Sequence, residues 1–430
     1  MIDDVYFSSS LKLDKHPISN TKQKIKNEYY YSLEYIIDKL ELASEHIRSS
    51  MKIYKYFLMQ KEATLDKRRS YESIVLCKAQ PWRNKYKYWL ICDIALILLN
   101  KVEIDKAVAL IKTEVSNRQG LLLDSVVKTL DSSNSDIIKQ LIPVKDLVIQ
   151  YRNNADFLGI KERRVIVTAN MSAGKSTLVN SLIGKDIART SQEVCTGNIC
   201  YFFNKPFEDN RVHFNSQELD YCFQDNKDKD FDWNDATAYA VAFKSDETLK
   251  RRICIIDTPG VNSAIRREHG KIAKKCIQEE PYDCLYYILN ANKLGTDEEI
   301  AYLRWISNNV PREKVIFVLN KLDDFRISDD SIKSSIEGVQ KDLIGLGYEK
   351  PQIFPISAYY AYLIKKKMQS MILTDDEEDE YELFVRKFEK KEYDLSVYYE
   401  ETMNSIDNYV RQLKKSGFYY LEKHIYGGAL

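Results

Sequence analysis

Five short apolar runs lie between residues 164 and 356, and four of them close on a polar motif. Arg164-Val165-Ile166-Val167-Thr168 leads into Ala169-Asn170-Met171-Ser172-Ala173-Gly174-Lys175-Ser176-Thr177. Ile253-Cys254-Ile255-Ile256 leads into Asp257-Thr258-Pro259-Gly260, and Val315-Ile316-Phe317-Val318-Leu319 into Asn320-Lys321-Leu322-Asp323. Gln352-Ile353-Phe354-Pro355-Ile356 ends at Ser357-Ala358, and Asp283 to Leu289 reads as a further strand. Helical stretches such as Glu298–Asn308 and Ser331–Ile344 separate the runs. Short strands alternating with helices imply βαβ units and a mostly parallel sheet. A motif just past the carboxyl end of each strand is where open α/β sheets bind ligands.

Residues 1–158 read differently. Leu33, Ile36, Ile37, Leu40, Ala43 and Ile47 recur at helical spacing, as do Ala107, Val108, Ile111 and Val115, then Ile137, Ile138, Leu141, Val144 and Val148. The expectation is an all-α bundle or hairpin at 1–158, with Pro81-Trp82 breaking one helix from the next. An α/β domain at 159–430 follows, with a charged helical insertion near 366–415. The insertion opens on six consecutive acids, Asp375 to Glu380, which repel one another and read as solvated. A second, polar insertion is expected around Asp225–Asp235.

Bulk properties exclude several classes. With 64 Lys+Arg against 64 Asp+Glu, no global field recruits nucleic acid or anionic lipid. The eight cysteines, at 77, 92, 195, 200, 222, 254, 276 and 284, form no C-x-x-C pair, which fits packed, reduced thiols of a cytoplasmic protein. The N-terminal Met-Ile-Asp-Asp-Val lacks the basic-then-apolar build of a signal peptide. Trp89 to Leu99 is the most apolar stretch. It is short of the roughly 18–20 residues that span a bilayer and is interrupted by Asp93, so a buried core helix is expected and any membrane contact would be peripheral.

The motifs carry specific chemistry. The first resembles G-x-x-x-x-G-K-[ST], with Ala169 in place of the first glycine. Backbone N–H groups of Ser172, Ala173, Gly174, Lys175, Ser176 and Thr177 would cradle phosphates at a helix N-terminus. Lys175 would neutralise the β- and γ-phosphates, and the Ser176 hydroxyl would ligate Mg²⁺. Asp257 would reach Mg²⁺ through water, and Gly260 would offer its N–H to the γ-phosphate. Asp323 sets the base. A carboxylate accepts from guanine N1–H and the 2-amino group, and adenine offers neither donor, at a cost of about 1–3 kcal/mol. Asn320 would brace the loop, the Lys321 stem would pack on the base, and Ser357 and Ala358 would present backbone N–H to the guanine oxygen.

Two positions bear on hydrolysis. A switch threonine completing the Mg²⁺ shell should lie between 177 and 257, with Thr196 in Glu193-Val194-Cys195-Thr196-Gly197 the first choice and Thr190 the second. Val261 follows Asp-Thr-Pro-Gly where many small regulatory GTPases place a water-positioning Gln, and valine cannot orient water.

The loop N-M-S-A-G-K-S-T-L-V-N-S-L-I-G, the E-V-C-T segment, D-T-P-G-V-N-S and the late Ser416-Gly417-x-x-x-Leu421-Glu422 together resemble bacterial dynamin-like large GTPases. The resemblance spans about 160–425 with specific motifs. It implies a P-loop GTPase domain beside long helices, hydrolysis of GTP to GDP and phosphate with Mg²⁺, and a homodimer through the nucleotide face. It also implies that Ser172 helps place the water or a charge-compensating monovalent cation, so Ser172, Lys175 and Thr196 are the catalytic candidates. Met171 stands where eukaryotic dynamins carry Gln, so a Gln-based role does not transfer. The alternative expectation is a slow-hydrolysing, nucleotide-gated module that binds a protein partner without remodelling membranes.

Overall fold

The computed structural model describes residues 11–13, 15–59, 64–76, 84–131, 144–170, 172–188, 198–215, 222–225, 236–244, 251–260, 267–326, 331–400 and 407–427. The chain divides into two compact units, 1–161 with 205–229, and 162–204 with 230–430.

The first unit is helical: α1 (Gln23–Lys39), α2 (Glu45–Leu58), α3 (Lys67–Tyr71), α4 (Asn84–Leu98), α5 (Lys101–Lys112), α6 (Asn117–Asp131) and α7 (Lys145–Gly159). The apolar spacing from Leu33 to Ile47 crosses a helix break. Helix α1 stops at Lys39, Glu41 adopts φ +54°, the Leu42 N–H returns to Ile37 O at 3.3 Å, and Ala43 is exposed. A periodic pattern thus ran through a turn, because the next helix packs on the same core. Helix α4 is buried all round from Leu90 to Leu98, the signature of a central helix. The Pro81-Trp82 break and the Ile137–Leu141 positions lie outside the described residues.

Asp93 is the polar centre of that bundle. Its carboxylate accepts from Tyr54 OH at 2.9 Å and from Tyr29 OH, and His16 Nε2 lies 3.0 Å from Oδ2. The His16 Nδ1 accepts the Ile18 N–H at 3.1 Å, so the ring proton sits on Nε2 and faces Asp93. A buried carboxylate is tolerable only with such a full complement of donors.

This unit also holds the hairpin β3 (Arg211–Asn215) and β4 (Cys222–Asp225), which pair antiparallel. Arg211 lies over the Phe57 ring of α2 at 5.0 Å. Beneath the hairpin, buried Asp209 takes Lys205 Nζ, and His213 Nε2 lies at 3.4 Å.

The second unit contains β1 (Arg163–Ala169), α8 (Lys175–Ile183), β2 (Cys200–Asn204), β5 (Ala238–Val241), β6 (Ile253–Asp257), α9 (Arg267–Glu279), β7 (Cys284–Asn290), α10 (Asp297–Asn309), β8 (Val315–Asn320), α11 (Ile332–Gly345), β9 (Ile353–Pro355), α12 (Ala358–Met368), α13 (Asp375–Phe388), α14 (Asn408–Lys415) and α15 (Phe418–Ile425). Within it the strands run β5-β2-β6-β1-β7-β8-β9. Strands β6, β1, β7, β8 and β9 are parallel, and β2 joins β6 antiparallel with β5 parallel to β2. The sheet is therefore mostly parallel. Near-continuous burial of β1, β6, β7 and β8 shows both faces covered, as parallel sheets require.

Of the six acids after α12, Asp375, Asp376 and Asp379 are exposed as expected, while Glu377, Glu378 and Glu380 are half-buried and paired. Helix α13 starts on a Thr374–Glu377 capping box. Lys366 reaches Glu377 at 2.7 Å, Lys367 pairs with Glu378, and Tyr359 OH donates to Glu380. The acids therefore lie at a helix N-terminus, where negative charge is favoured, and Glu377 and Glu378 also partner the basic last turn of α12. Helix α14 buries Gln412, Leu413, Lys414 and Lys415, with Gln412 held by Tyr381 OH at 2.8 Å.

Among the described residues Cys92, Cys200, Cys254, Cys276 and Cys284 are free thiols, and burial pushes Cys276 up to about 12. Among those residues no helix is long and apolar enough to cross a membrane, and no group of three or more His, Cys, Asp or Glu is placed to hold a metal.

Candidate functional site

The motif residues gather where the parallel strands end. Ala169 closes β1, buried and paired with Ile288 of β7. An extended strand residue needs no glycine, which is why alanine is accepted there. Ser172 then takes φ +62° and Gly174 φ +83° before α8 begins at Lys175. The first N–H to close a turn of α8 is that of Leu178, to Gly174 O at 2.9 Å. The amides of Lys175, Ser176 and Thr177 precede it, in the anion-favouring first turn.

Gly174 is required by a neighbour as well as by its backbone. A Cβ there would stand 2.5 Å from Asn320 Nδ2. That amide donates to Ala173 O at 2.9 Å, and Asn320 Oδ1 accepts the Ala358 N–H at 2.9 Å. One buried side chain at the end of β8 thus ties the phosphate loop to the first turn of α12. Lys321 follows with φ +68°. Left-handed backbone at Ser172 and Lys321 costs roughly 1–2 kcal/mol each for non-glycine residues.

Asp257 ends β6, buried and ion-paired with Lys175. Burial pushes its carboxyl up and Lys175 opposes the shift. The neighbouring Thr258 is locked by its N–H to Val167 O at 3.2 Å and its hydroxyl to Thr168 Oγ1 at 3.0 Å. Gly260 is the last residue described before 267.

Asp323 is 6% exposed, and its Oδ1 accepts the Ser357 hydroxyl at 2.5 Å. Burial pushes its carboxyl up, with the Ser357 hydrogen bond acting the other way. The N–H groups of Ser357 and Ala358, expected to face the guanine oxygen, are engaged within the protein. Ser357 N–H donates to Ser416 O at 2.9 Å and Ala358 N–H to Asn320 Oδ1. The late Ser416-Gly417 motif explains the first of these. Gly417 has φ +74° and its Cα passes so close to Pro355 O that a Cβ would come within 2.1 Å of it. Only glycine lets Ser416 approach Ser357 this way.

The structure therefore brings together Ser172, Ala173, Gly174, Lys175, Asp257, Asn320, Lys321, Asp323, Ser357 and Ala358, with Ser176 and Thr177 on the adjoining turn. Thr196, Thr190, Met171 and Val261 lie outside the described residues.

Sequence reasoning missed two asparagines. Asn290 ends β7 and donates to Ser172 O at 3.2 Å, and Asn292 donates to Lys321 O at 3.2 Å. The available signal was position: β7 is the one parallel strand between two motif-bearing ones whose carboxyl end had been given no role. It also missed Lys387, whose Nζ reaches Asp323 O and, at 3.0 Å, Phe325 O.

Comparison with known proteins agrees with this geometry. Residues 165–322 match the model of the Dynamin family. The chain is 27% identical over 215 residues to the Arabidopsis thaliana protein named Probable transmembrane GTPase FZO-like, chloroplastic, covering 49% of this chain and 21% of that one. It is 25% identical over 214 residues to Dynamin-like protein A of Bacillus subtilis, covering 47% and 17%. The chain thus spans far less than two thirds of the length of these relatives. Among solved structures, a chain of an oligomerised bacterial dynamin pair is 15% identical with a TM-score of 0.37, covering 96% of this chain and 73% of that one. The family match falls on the strands and loops that build the site, and the chain carries a GTPase domain of the dynamin type.

Proposed function

We propose that this chain binds GTP with Mg²⁺, hydrolyses it to GDP and phosphate, and associates with a second copy through its nucleotide face. The observation that carries the reading is the Asn320 bridge. It fixes a phosphate loop and a buried, base-reading carboxylate as one rigid site. In this reading the amides of Ser172 to Thr177 receive the phosphates. Lys175 exchanges Asp257 for phosphate oxygens, a move its ion pair with that carboxylate leaves within reach. Asp323 accepts the two guanine donors, and Ser357 and Ala358 act on the base through Asp323 and Asn320.

The donor set fits magnesium. Ser176 offers a hydroxyl and Asp257 a carboxylate, hard oxygen ligands that leave positions for phosphate oxygens and water. Asp257 stands beside the first turn of α8 through its pair with Lys175. Magnesium would neutralise charge developing on the phosphates. Thr196 is the proposed third protein ligand. Ser172, held in its left-handed conformation and anchored by Asn290, is proposed to place the attacking water or a monovalent cation. A relative named as a probable transmembrane GTPase supports a membrane setting, in which the proposed contact of this chain is peripheral.

The test is GTP turnover against protein concentration, with and without anionic vesicles. Specific activity should rise with concentration, and Lys175→Ala should abolish nucleotide binding. A flat specific activity over a hundred-fold range would remove self-association from the cycle. Asp323→Asn should move preference from guanine to xanthine nucleotides.

A further inference from the structure

We propose that Lys387, at the far end of the acidic helix α13, is a positioning residue for guanine recognition. It clamps the main chain after Asp323 and so sets where the base-reading carboxylate stands. The inference rests on the guanine-nucleotide reading of the site.

The loop from Asn320 to Phe325 is gripped from two sides. From α12, the Ser357 hydroxyl holds Asp323 Oδ1 at 2.5 Å and the Ala358 amide holds Asn320. From α13, the Lys387 ammonium donates to the main-chain carbonyls of Asp323 and Phe325. Tyr393 OH donates to the same Phe325 carbonyl at 3.3 Å, and its ring lies beneath the Lys387 ammonium at 4.5 Å. Both carbonyls follow the Asp323 side chain in the loop, the first of them on Asp323 itself. Fixing both leaves that carboxylate little freedom to retreat from the base.

Helix α13 is built to deliver this cation. Glu377, Glu380, Phe384, Lys387 and Phe388 recur at helical spacing and share one face. The first two bind Lys366 and Tyr359 of α12. Phe384 and Phe388 pack on Tyr360 with ring centroids 5.8 and 4.9 Å apart. Lys387 continues the same stripe and arrives at the loop. Glu377, Glu378 and Glu380 thereby acquire a purpose. They seat one end of α13 on α12 so that the other end meets the base loop.

Burial lowers the Lys387 pKa, with Lys390 and Arg326 acting the same way, and the carboxylates of Asp323 and Asp324 oppose the shift. A cation placed on two neutral carbonyls in a half-buried position is a costly way to fill space. It is reasonable where those carbonyls must stay put.

The test uses the full chain and compares GDP with IDP, whose base keeps N1–H and lacks the 2-amino group. Parent protein should prefer GDP, since a well-placed carboxylate accepts both donors. In Lys387→Met the GDP affinity should fall about tenfold while IDP falls less, so the GDP/IDP ratio shrinks. Lys387→Arg should restore most of the ratio. Tyr393→Phe, which removes one hydroxyl from the same carbonyl, should shrink it by a smaller amount and guards against a Met variant that does not fold. A GDP/IDP ratio equal to parent in both folded variants would overturn the proposal, as would equal losses for the two nucleotides. Absence of any guanine preference in the parent would instead sink the guanine reading, and so separates the two failures.

Discussion

Asn320→Ala is the perturbation that tests the site most directly, because the structure gives Asn320 work before any nucleotide arrives. Its side chain is 2% exposed and makes two bonds at 2.9 Å, to Ala173 O and from Ala358 N–H. Alanine would leave a buried carbonyl and a buried amide without these partners, each costing about 1–3 kcal/mol. The sum is about 2–6 kcal/mol in nucleotide-free protein. For a unit of this size that lowers the melting temperature by roughly 5–15 °C. The assay is thermal unfolding of nucleotide-free full-length protein, with Asp323→Ala as comparator. Among the described residues the Asp323 carboxylate takes its side-chain hydrogen bond from the Ser357 hydroxyl. Its removal should abolish base selectivity while shifting stability by about 1 kcal/mol or less. An Asn320→Ala protein as stable as the parent, yet unable to bind GTP, would refute the bridge and leave Asn320 a nucleotide contact alone.

Two further predictions concern stability. Asp93→Leu strips three buried donors, Tyr29, Tyr54 and His16, of their acceptor and should destabilise the helical unit by about 3–5 kcal/mol in denaturant unfolding; an unchanged midpoint would show the network to be idle. Burial and the Lys205 charge push His213 down to about 4, and burial with Arg163 does the same to His424. Between pH 6.5 and 4 the unfolded chain therefore binds protons that the folded chain refuses, so stability is full above 6.5 and falls as pH drops. His213 alone contributes about 1.4 kcal/mol per pH unit in that window. Against the upward push of its burial, His213 and Lys205 hold Asp209 below the usual carboxylate range, so its own loss comes at lower pH. His213→Asn should reduce the slope of unfolding free energy against pH, and a slope identical to parent would count against the buried neutral ring.

The α/β organisation was legible because each strand is a continuous apolar run and each motif is local. Val165 to Ala169 and Val315 to Leu319 are buried on both faces, which writes itself into sequence as uninterrupted hydrophobicity. Helix boundaries were less legible. Leu33 to Ile47 kept helical spacing across the turn at Glu41, since two successive helices share one core. Within the acidic run, Asp375, Asp376 and Asp379 are exposed as expected, but Glu377, Glu378 and Glu380 are paired, and their partners Lys366, Lys367 and Tyr359 stand on another helix.

Sequence by itself determined the order of the motifs and the residues proposed to hold phosphate and read guanine, since those depend on residue type at fixed short spacing. It could not determine what holds them in place. Asn320 meets Ala173 across 147 positions, Ser357 N–H is taken by Ser416, and Lys387 reaches Asp323 O across 64. These partners become neighbours only when parallel strands line up their carboxyl ends and α12, α13 and α14 fold back beside them. Hydrogen bonds select partners by distance and direction in space, and chain separation carries no information about either.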